Sequence, residues 1–378
     1  MSAIKIGLVG QRALNYLIAL RDLPSVEVIA LCDVNEDLLN KNAEAYGIPN
    51  RYRIFEDLCA SDVDAVLIGT PAYLHMQQTV TALSAGKHVL CEVLAGTSME
   101  ELFWLKEAVE RSNKVYMMCE NFCYRQDVVL INELINKGFF GDLYFAHVEF
   151  MQYMRKTCAD NWRRYWFLGF QGPFYPTHSI GPAMKWLKGD RITEVSCYGA
   201  GKHYEQFYRQ ESITTTVLRT EKNRLITLRH DVMSPRPMQC TSYYLQGTRG
   251  VVEIGRGTPH TKEQDRIFFK DQPVNLLEDD WEDLWTYRQH LPEKYINMSP
   301  VAADMAKNGL FNCYGGDYFM IEDFIAAVNG EKPSPVNVYE ACEWSAVALL
   351  AEISLQNNSR SIQMPNFCDT YQKLETKI

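Results

Sequence analysis

The residues Tyr175-Pro176-Thr177-His178 place a phenol and an imidazole next to each other where an amphipathic segment begins. The ordinary pKa of histidine lies near neutral pH, so His178 is our first candidate for a general acid or base. The preceding stretch, NWRRYWFLGFQGPF, is rich in tryptophan and arginine. That setting favours a functional site, although His178 could also be a packed helix-start residue and Tyr175 an aromatic cover of the core.

A second set of residues could hold a dinucleotide. Gly10 ends the first predicted strand and keeps one glycine of the G-x-G-x-x-G fingerprint, followed by Gln11 and Arg12. An arginine in this turn could contact a phosphate directly. Asp33 ends the second predicted strand, where a carboxylate holds the ribose hydroxyls and favours NAD over NADP; the alternative is that Asp33 caps the next helix. The turn GTPAYLH follows at 69–75.

The elements that must position these residues change character near residue 120. Before it, short apolar strands alternate with helices, which predicts βαβ units and a parallel sheet covered on both faces. After it, longer segments alternate apolar and polar residues, with hairpin turns such as EKN and GTRG. We therefore predict an α/β protein: a Rossmann doubly wound parallel sheet in residues 1–120, and an α+β domain with an open, mostly antiparallel sheet in residues 121–378. The active site is expected between them.

Composition limits the partners. The 378 residues carry a net charge of -9 without a basic block, so neither nucleic acid nor an anionic membrane is expected as a partner. Neither a signal peptide nor a membrane span is predicted, and the 11 scattered cysteines suggest reduced thiols in the cytoplasm. Glu149, His178, His230 and Asp231 could supply metal ligands, but their spacing is not diagnostic, and we expect no metal.

The order Gly10, Asp33, TPAYLH, GKHVLCE and CENFCYR resembles the Gfo/Idh/MocA oxidoreductase family, which includes glucose–fructose oxidoreductase and inositol dehydrogenase. Ordinary members of that family carry a catalytic lysine directly after Glu92, and this chain has Val93 and Leu94 there. The stretches YPTH, ENFCYRQDV, RHDVMSPRP and YGGDY are similar to the NAD-dependent glycosidases of the same fold, glycosidase family 109, which also have Glu-Val at this place.

The resemblance implies a role for each residue of the site. His178, Tyr175 and Glu120 are the expected catalytic residues, although Glu120 could equally cap the following helix. Beyond the fingerprint, the expected cofactor-binding residues are Thr70, Leu74, His75, Glu92, Val93 and Asn121. The expected substrate-binding residues are Phe150, Tyr153, Arg163, Tyr175, Pro176, Thr177 and His178, with Trp162, Tyr165 and Trp166 as a possible aromatic wall.

The implied chemistry uses a tightly bound, recycled NAD. The sugar is oxidised at C3, the C2 proton is removed, the aglycone is eliminated, water adds, and the sugar is reduced again. Phe150 and Gly255 depart from the α-N-acetylgalactosaminidases, which have tyrosine near both positions; Tyr153 or a residue of GTPH at 257–260 could compensate. Two alternatives remain: an ordinary NAD-dependent sugar or polyol dehydrogenase, and a non-enzymatic NAD- or sugar-sensing regulator. The expected partners are a small sugar or glycoside and further copies of the chain, as a dimer or tetramer.

Overall fold

The computed structural model describes residues 3–155, 162–204, 208–236, 241–256, 264–270, 275, 279–307 and 315–368, without the side chains of 165–167. The first half forms a six-stranded parallel sheet in the order β3-β2-β1-β4-β5-β6. Its strands are β1 (Ile4–Val9), β2 (Val26–Cys32), β3 (Asn50–Tyr52), β4 (Ala65–Ile68), β5 (His88–Cys91) and β6 (Tyr116–Met118). This is the doubly wound order, which confirms the predicted Rossmann sheet.

Helices cover the parallel sheet because its strands are apolar on both faces. They are α1 (Leu17–Asp22), α2 (Glu36–Ala45), α3 (Phe55–Cys59), α4 (His75–Ser84) and α5 (Met99–Ser112). A 3-10 turn at Gln11–Tyr16 connects β1 to α1. Asn35 caps α2 and Ser98 caps α5 through side-chain hydrogen bonds to backbone N–H groups.

The second sheet has nine strands in the order β14-β13-β12-β11-β7-β10-β9-β8-β15. These are β7 (Leu143–Met151), β8 (Ile192–Gly199), β9 (Thr214–Thr220), β10 (Leu225–Asp231), β11 (Thr241–Gly247), β12 (Gly250–Ile254), β13 (Arg266–Phe269), β14 (Glu282–Asp283) and β15 (Ile362–Gln363). Its neighbours are antiparallel except β7 and β10, which pair in parallel. The predicted open, mostly antiparallel sheet is therefore confirmed.

The remaining α-helices among the described residues lie after residue 120. They are α6 (Gln126–Asn136), α7 (Arg164–Gly169), α8 (Thr177–Trp186), α9 (Glu293–Ile296), α10 (Pro300–Lys307), α11 (Gly316–Val328) and α12 (Val338–Gln356). Helix α12 is buried over most of its length and contacts α5, β6 and β8. One apolar core therefore continues through both sheets. Within the described ranges, no helix has the length and apolar character needed to cross a membrane.

Candidate active site

A cavity of about 950 Å³ opens at the carboxyl ends of the parallel strands, between the first sheet and the start of α8. This is the place where doubly wound sheets bind ligands. Most of the predicted site residues line it: Gly10, Gln11, Arg12, Asp33, Thr70, Leu74, Glu92, Val93, Asn121, Phe150, Tyr153, Arg163, Tyr175 and His178. Residues far apart in the chain therefore meet in one space large enough for a dinucleotide and a sugar.

Four predicted residues lie behind the cavity wall instead. Glu120 is fully buried beneath His178. His75 is buried, with Nδ1 2.8 Å from the Leu94 carbonyl oxygen and Nε2 2.8 Å from the Thr70 carbonyl oxygen. Pro176, at the N-cap of α8, and Thr177, its first residue, are both buried. These four residues are placed to support the lining residues and do not themselves face the cavity.

The adenosine end of the candidate cofactor site is built from Gly10, Gln11 and Asp33. Gly10 has a φ of +80°, and a Cβ at this position would lie 2.7 Å from the Gly69 carbonyl oxygen, so a side chain is excluded. The Gln11 amide donates a 2.6 Å hydrogen bond to Asp33 Oδ2, and the backbone N–H of Asn35 donates to Asp33 Oδ1 at 2.8 Å. Because Asn35 is the cap of α2, the Asp33 carboxylate is left to face the cavity.

Arg12 lies where the fingerprint has its second glycine, and its guanidinium forms an ion pair with Glu92. Arg12 Nε lies 2.6 Å from Glu92 Oε1, and the Tyr16 hydroxyl donates to the same oxygen at 2.5 Å. Burial raises the pKa of Glu92, but the charge of Arg12 and the hydroxyl of Tyr16 outweigh burial and hold that pKa below its ordinary value. Glu92 is therefore ionised at neutral pH. The sequence suggested a phosphate contact for Arg12 and contained no sign of Tyr16.

Glu120 and His178 form a hydrogen-bonded acid–imidazole pair at the other end of the cavity. His178 Nδ1 lies 2.9 Å from Glu120 Oε1, which also accepts a 3.3 Å hydrogen bond from the backbone N–H of Phe122. Glu120 thus both caps the short turn that follows β6 and binds the histidine. Because the Nδ1–H group of neutral His178 donates this hydrogen bond to Glu120, Nε2 carries the lone pair and is the basic nitrogen.

Aromatic rings hold the His178 imidazole in place. Its centroid is 4.4 Å from that of Phe122 and 5.5 Å from that of Tyr175, which stacks at 21°. Phe150 stacks on Tyr175 with centroids 5.9 Å apart. The Tyr243 hydroxyl donates a 2.8 Å hydrogen bond to the His178 carbonyl oxygen, which fixes the start of α8. The general acid–base candidate is therefore held rigidly at the cavity.

The predicted aromatic wall is described in part. Trp162 lines the cavity, meets Tyr73 edge-on and lies under the Arg163 guanidinium at 4.7 Å. The side chains of Tyr165 and Trp166, and the GTPH segment, lie outside the described residues. Gly255 donates its N–H to Asp265 Oδ1 at 3.0 Å, whereas Tyr153 lines the cavity, and its contact with substrate stays a prediction.

Asp317 belongs to this site and was not among the predicted site residues. It is fully buried, and its Oδ1 accepts a 2.6 Å hydrogen bond from the Asn121 amide, 196 positions earlier in the chain. Burial raises the pKa of Asp317 to about 6, against the opposing effects of the Arg12 charge and the Asn121 hydrogen bond. In the sequence, this aspartate is part of the YGGDY stretch that carries some of the family resemblance.

Comparison with known proteins agrees with this geometry. Residues 4–120 match the oxidoreductase family with an NAD-binding Rossmann fold, so the fold and site define an NAD-dependent enzyme. Residues 124–373 match the family described as glycosyl hydrolase 109, C-terminal domain. The chain belongs to glycosyl hydrolase family 109, a family of NAD-dependent glycosidases.

Individual relatives cover nearly the whole chain. A glycosyl hydrolase family 109 protein of Saccharopolyspora erythraea is 28% identical over 96% of this chain and 83% of its own length. The α-N-acetylgalactosaminidase of Shewanella oneidensis is 26% identical over 97% of this chain and 85% of its own length.

Solved structures of low sequence identity share the fold. Levoglucosan dehydrogenase in complex with NADH has a TM-score of 0.79 at 17% identity, covering 97% of this chain and 100% of that chain. An oxidoreductase from Agrobacterium radiobacter in complex with NAD+, L-tartaric acid and magnesium has a TM-score of 0.75 at 16% identity, covering 96% of this chain and 99% of that chain.

Proposed function

We propose that the enzyme hydrolyses a glycoside by transient oxidation of the sugar at C3, with tightly bound NAD that is recycled in each turnover. The observation that carries the proposal is the 2.9 Å contact between His178 Nδ1 and Glu120 Oε1 beside the dinucleotide cavity. Val93 occupies the position of the dehydrogenase lysine. The cavity therefore has an acid–base pair, His178 and Glu120, although it lacks that lysine.

The cavity fits NAD in its side-chain chemistry. Gly10 leaves room for backbone approach, and the Asp33 carboxylate offers acceptors to ribose hydroxyls and would repel a 2′-phosphate. Arg12, Thr70 and Leu74 extend this half of the proposed site, with His75 supporting their loop. Glu92, Val93 and Asn121 would surround the nicotinamide. When bound, NAD supplies a hydride acceptor at the first step and a hydride donor at the last.

The protein then handles protons and orients the sugar. Tyr175 holds the C3 hydroxyl, whose proton passes to solvent water in the cavity as the C3 hydride leaves. The resulting C3 ketone acidifies the C2–H bond, and His178 Nε2 takes the C2 proton while Glu120 stabilises the imidazolium. That proton passes to the departing aglycone oxygen as the C1–O bond breaks.

Water completes the cycle without net oxidation. The water hydroxyl adds to C1, the other proton of that water passes through His178 to C2, and the C3 carbonyl regains its hydride together with a proton from solvent water. Arg163, Tyr153 and Phe150 line the substrate end of the cavity, while Pro176 and Thr177 set the turn that presents His178. The substrate class is a glycoside; the apolar Phe150 favours a sugar different from that named for the Shewanella oneidensis relative.

The test is a panel of aryl glycosides incubated with purified protein in D2O, without added NAD. We expect aglycone release, deuterium at C2 of the product by NMR, and no net NADH. NADH formed in proportion to substrate would support a dehydrogenase. If neither free aglycone nor NADH is formed, the result would support a sensor. Release without deuterium at C2 would contradict the elimination route.

The cofactor and the base are tested separately. Heating the purified protein should release about one NAD per chain if the cofactor is tightly held. His178→Ala should abolish glycoside cleavage but still release about one NAD per chain on heating. His203→Ala, at an exposed histidine, is the matched control and should keep both properties. Normal turnover in His178→Ala would remove this histidine from the mechanism.

We also propose that the chain acts in the cytoplasm as a homodimer or homotetramer, with domains at 1–120 and 121–378. Strands β9, β11 and β12 alternate between buried and more accessible residues, so one face of the second sheet is available to another copy. Light scattering on the purified protein tests the assembly; a monomer at all concentrations would contradict it.

A further inference from the structure

Asp317 joins the start of α11 to the end of the parallel sheet. Its side chain is fully buried, and Oδ1 accepts the 2.6 Å hydrogen bond from Asn121 Nδ2. The backbones are also closely packed, because a Cβ on Gly316 would lie 2.7 Å from the Asn121 carbonyl oxygen. Helix α11 therefore begins in direct contact with the backbone of Asn121, and this close packing brings the Asp317 carboxylate to the Asn121 side-chain amide.

The carboxylate decides which way the Asn121 amide faces. An ionised carboxylate only accepts hydrogen bonds, so the Nδ2 group must point toward Asp317 and Oδ1 must point away from it. Asn121 lines the cavity, and its Oδ1 is buried without a hydrogen-bond partner among the residues that the structure describes. A buried acceptor of this kind calls for a donor from a bound ligand.

The charges near Asp317 act on its carboxylate in opposite directions: Arg12 favours the ionised form and Glu92 opposes it. Burial raises the pKa of Asp317 to about 6, and the Arg12 guanidinium, which forms the ion pair with Glu92, opposes that rise, so the carboxylate is ionised above about pH 6. The Arg12 charge therefore interacts with two acidic residues, Glu92 from the first half of the molecule and Asp317 from the second. This arrangement connects the dinucleotide turn to the orientation of Asn121.

We propose that Asp317 is a positioning residue that fixes the Asn121 amide, so that Asn121 Oδ1 accepts a hydrogen bond from the bound ligand. The donor is an N–H or O–H group, supplied either by the carboxamide of the nicotinamide or by a sugar hydroxyl. The proposal rests on ligand binding in the cavity described under the proposed function, and its test does not depend on glycoside cleavage.

The first experiment compares Asp317→Asn with the wild type by titrating NADH and ADP-ribose into apo protein, followed by fluorescence and calorimetry. An asparagine at 317 can present either its oxygen or its NH2 group, so the Asn121 amide loses its fixed orientation. If the donor is the nicotinamide carboxamide, NADH affinity falls about tenfold and ADP-ribose affinity is unchanged. If the donor is a sugar hydroxyl, both affinities are unchanged and glycoside affinity, measured by calorimetry, falls by the same factor.

The matched control is Asp323→Asn on the same helix. Asp323 is also mostly buried, but it pairs with Lys294 and lies outside the cavity lining. This variant should lose stability and keep the wild-type affinities. If Asp317→Asn keeps the wild-type affinity for NADH and for the glycoside, the proposal is overturned.

A swapped pair separates positioning from packing. Asn121→Asp alone places two carboxylates together and should also weaken binding about tenfold. In the double variant Asn121→Asp/Asp317→Asn, the asparagine donates to the aspartate, and residue 121 again presents an acceptor to the ligand. Recovery of most of the lost affinity supports the proposal. A double variant that binds no better than the weaker single variant overturns it and leaves Asp317 with a packing role.

The swap also covers the case in which Asp317→Asn does not fold. Asn121→Ala then tests the same contact from the ligand side, since it removes the acceptor and leaves the helix α11 residues unchanged. The same tenfold loss supports the proposal, and wild-type affinity overturns it. Failure of the glycosidase proposal would appear as absent cleavage with these binding changes intact, so the two failures are distinguishable.

Discussion

The Nδ1 atom of His178 lies 2.9 Å from the Oε1 atom of Glu120, although 58 positions separate the two residues in the chain. Glu120 is completely buried and His178 faces the cavity. The pair therefore has the arrangement of a general base oriented by a buried carboxylate, in which the acid fixes the tautomer and balances the charge of the imidazolium.

Replacing Glu120 with glutamine should remove the negative charge beside His178 while keeping a hydrogen-bond acceptor that can hold the imidazole in place. The glutamine carbonyl can still accept from the Phe122 N–H, so the turn after β6 should stay folded. Stabilisation of the imidazolium is lost, and we expect kcat for the glycoside to fall by about 10²–10⁴-fold. Steady-state kinetics and the melting temperature measure the two effects. A kcat within twofold of the wild type would show that the carboxylate is dispensable.

Shortening Val93 should have a far smaller effect than removing the base. Val93 is buried at the cavity wall and carries no proton-transfer group. We therefore expect Val93→Ala to lower kcat by no more than about tenfold, through loosened packing alone. His178→Ala serves as the comparison in the same assay. An equal loss in the two variants would mean that position 93 still contributes to the chemistry.

The Asp33 carboxylate should set the choice between the two dinucleotides. In Asp33→Ser, the ribose hydroxyls lose an ionised acceptor and the 2′-phosphate loses a repelling charge. The affinity of the apo protein for NADH should fall about tenfold, and the ratio of its NADH affinity to its NADPH affinity should decrease. Asp37→Asn, in the first turn of α2, is the control. An unchanged NADH-to-NADPH ratio would argue that another group discriminates.

His230 should make the fold sensitive to acid. It lies between Phe150 and Phe174, and burial lowers its pKa to about 3, from an ordinary value near 6.5. Above pH 6.5 the imidazole is neutral in both the folded and unfolded states, so it has no linkage effect. As the pH falls from 6.5 toward 3, the unfolded chain binds the proton first and the free energy of unfolding decreases by about 1.4 kcal/mol per pH unit.

The His230→Gln variant removes this titration. Denaturant unfolding between pH 7 and pH 4 should show a shallower decline for the variant than for the wild type, even if its stability at pH 7 is lower. His203→Gln, at an exposed histidine, should follow the wild-type curve. Parallel curves for His230→Gln and the wild type would refute the assignment of the acid sensitivity to His230.

Much of the fold could be predicted because its signals are local. Short apolar strands between amphipathic helices predicted the parallel sheet, and alternation predicted the second sheet. The parallel pairing of β7 with β10 was not predictable, because it joins segments about 80 residues apart whose alternation is the same in either direction. The short β3, β13, β14 and β15 also escaped prediction, since they are mostly accessible to solvent and lack the continuous apolar run that marks the equally short β4, β5 and β6.

The sequence by itself determined the residue types at the site: Gly10 and Asp33 for the dinucleotide, Val93 in place of lysine, and YPTH at the start of a helix. Only the tertiary structure decided their partners. Arg12 and Tyr16 both turn to Glu92, Glu120 meets His178, and Asn121 meets Asp317. These contacts span 58 to 196 positions, and they form only where the buried ends of several strands converge, because burial leaves each polar group to find its partner within that small space.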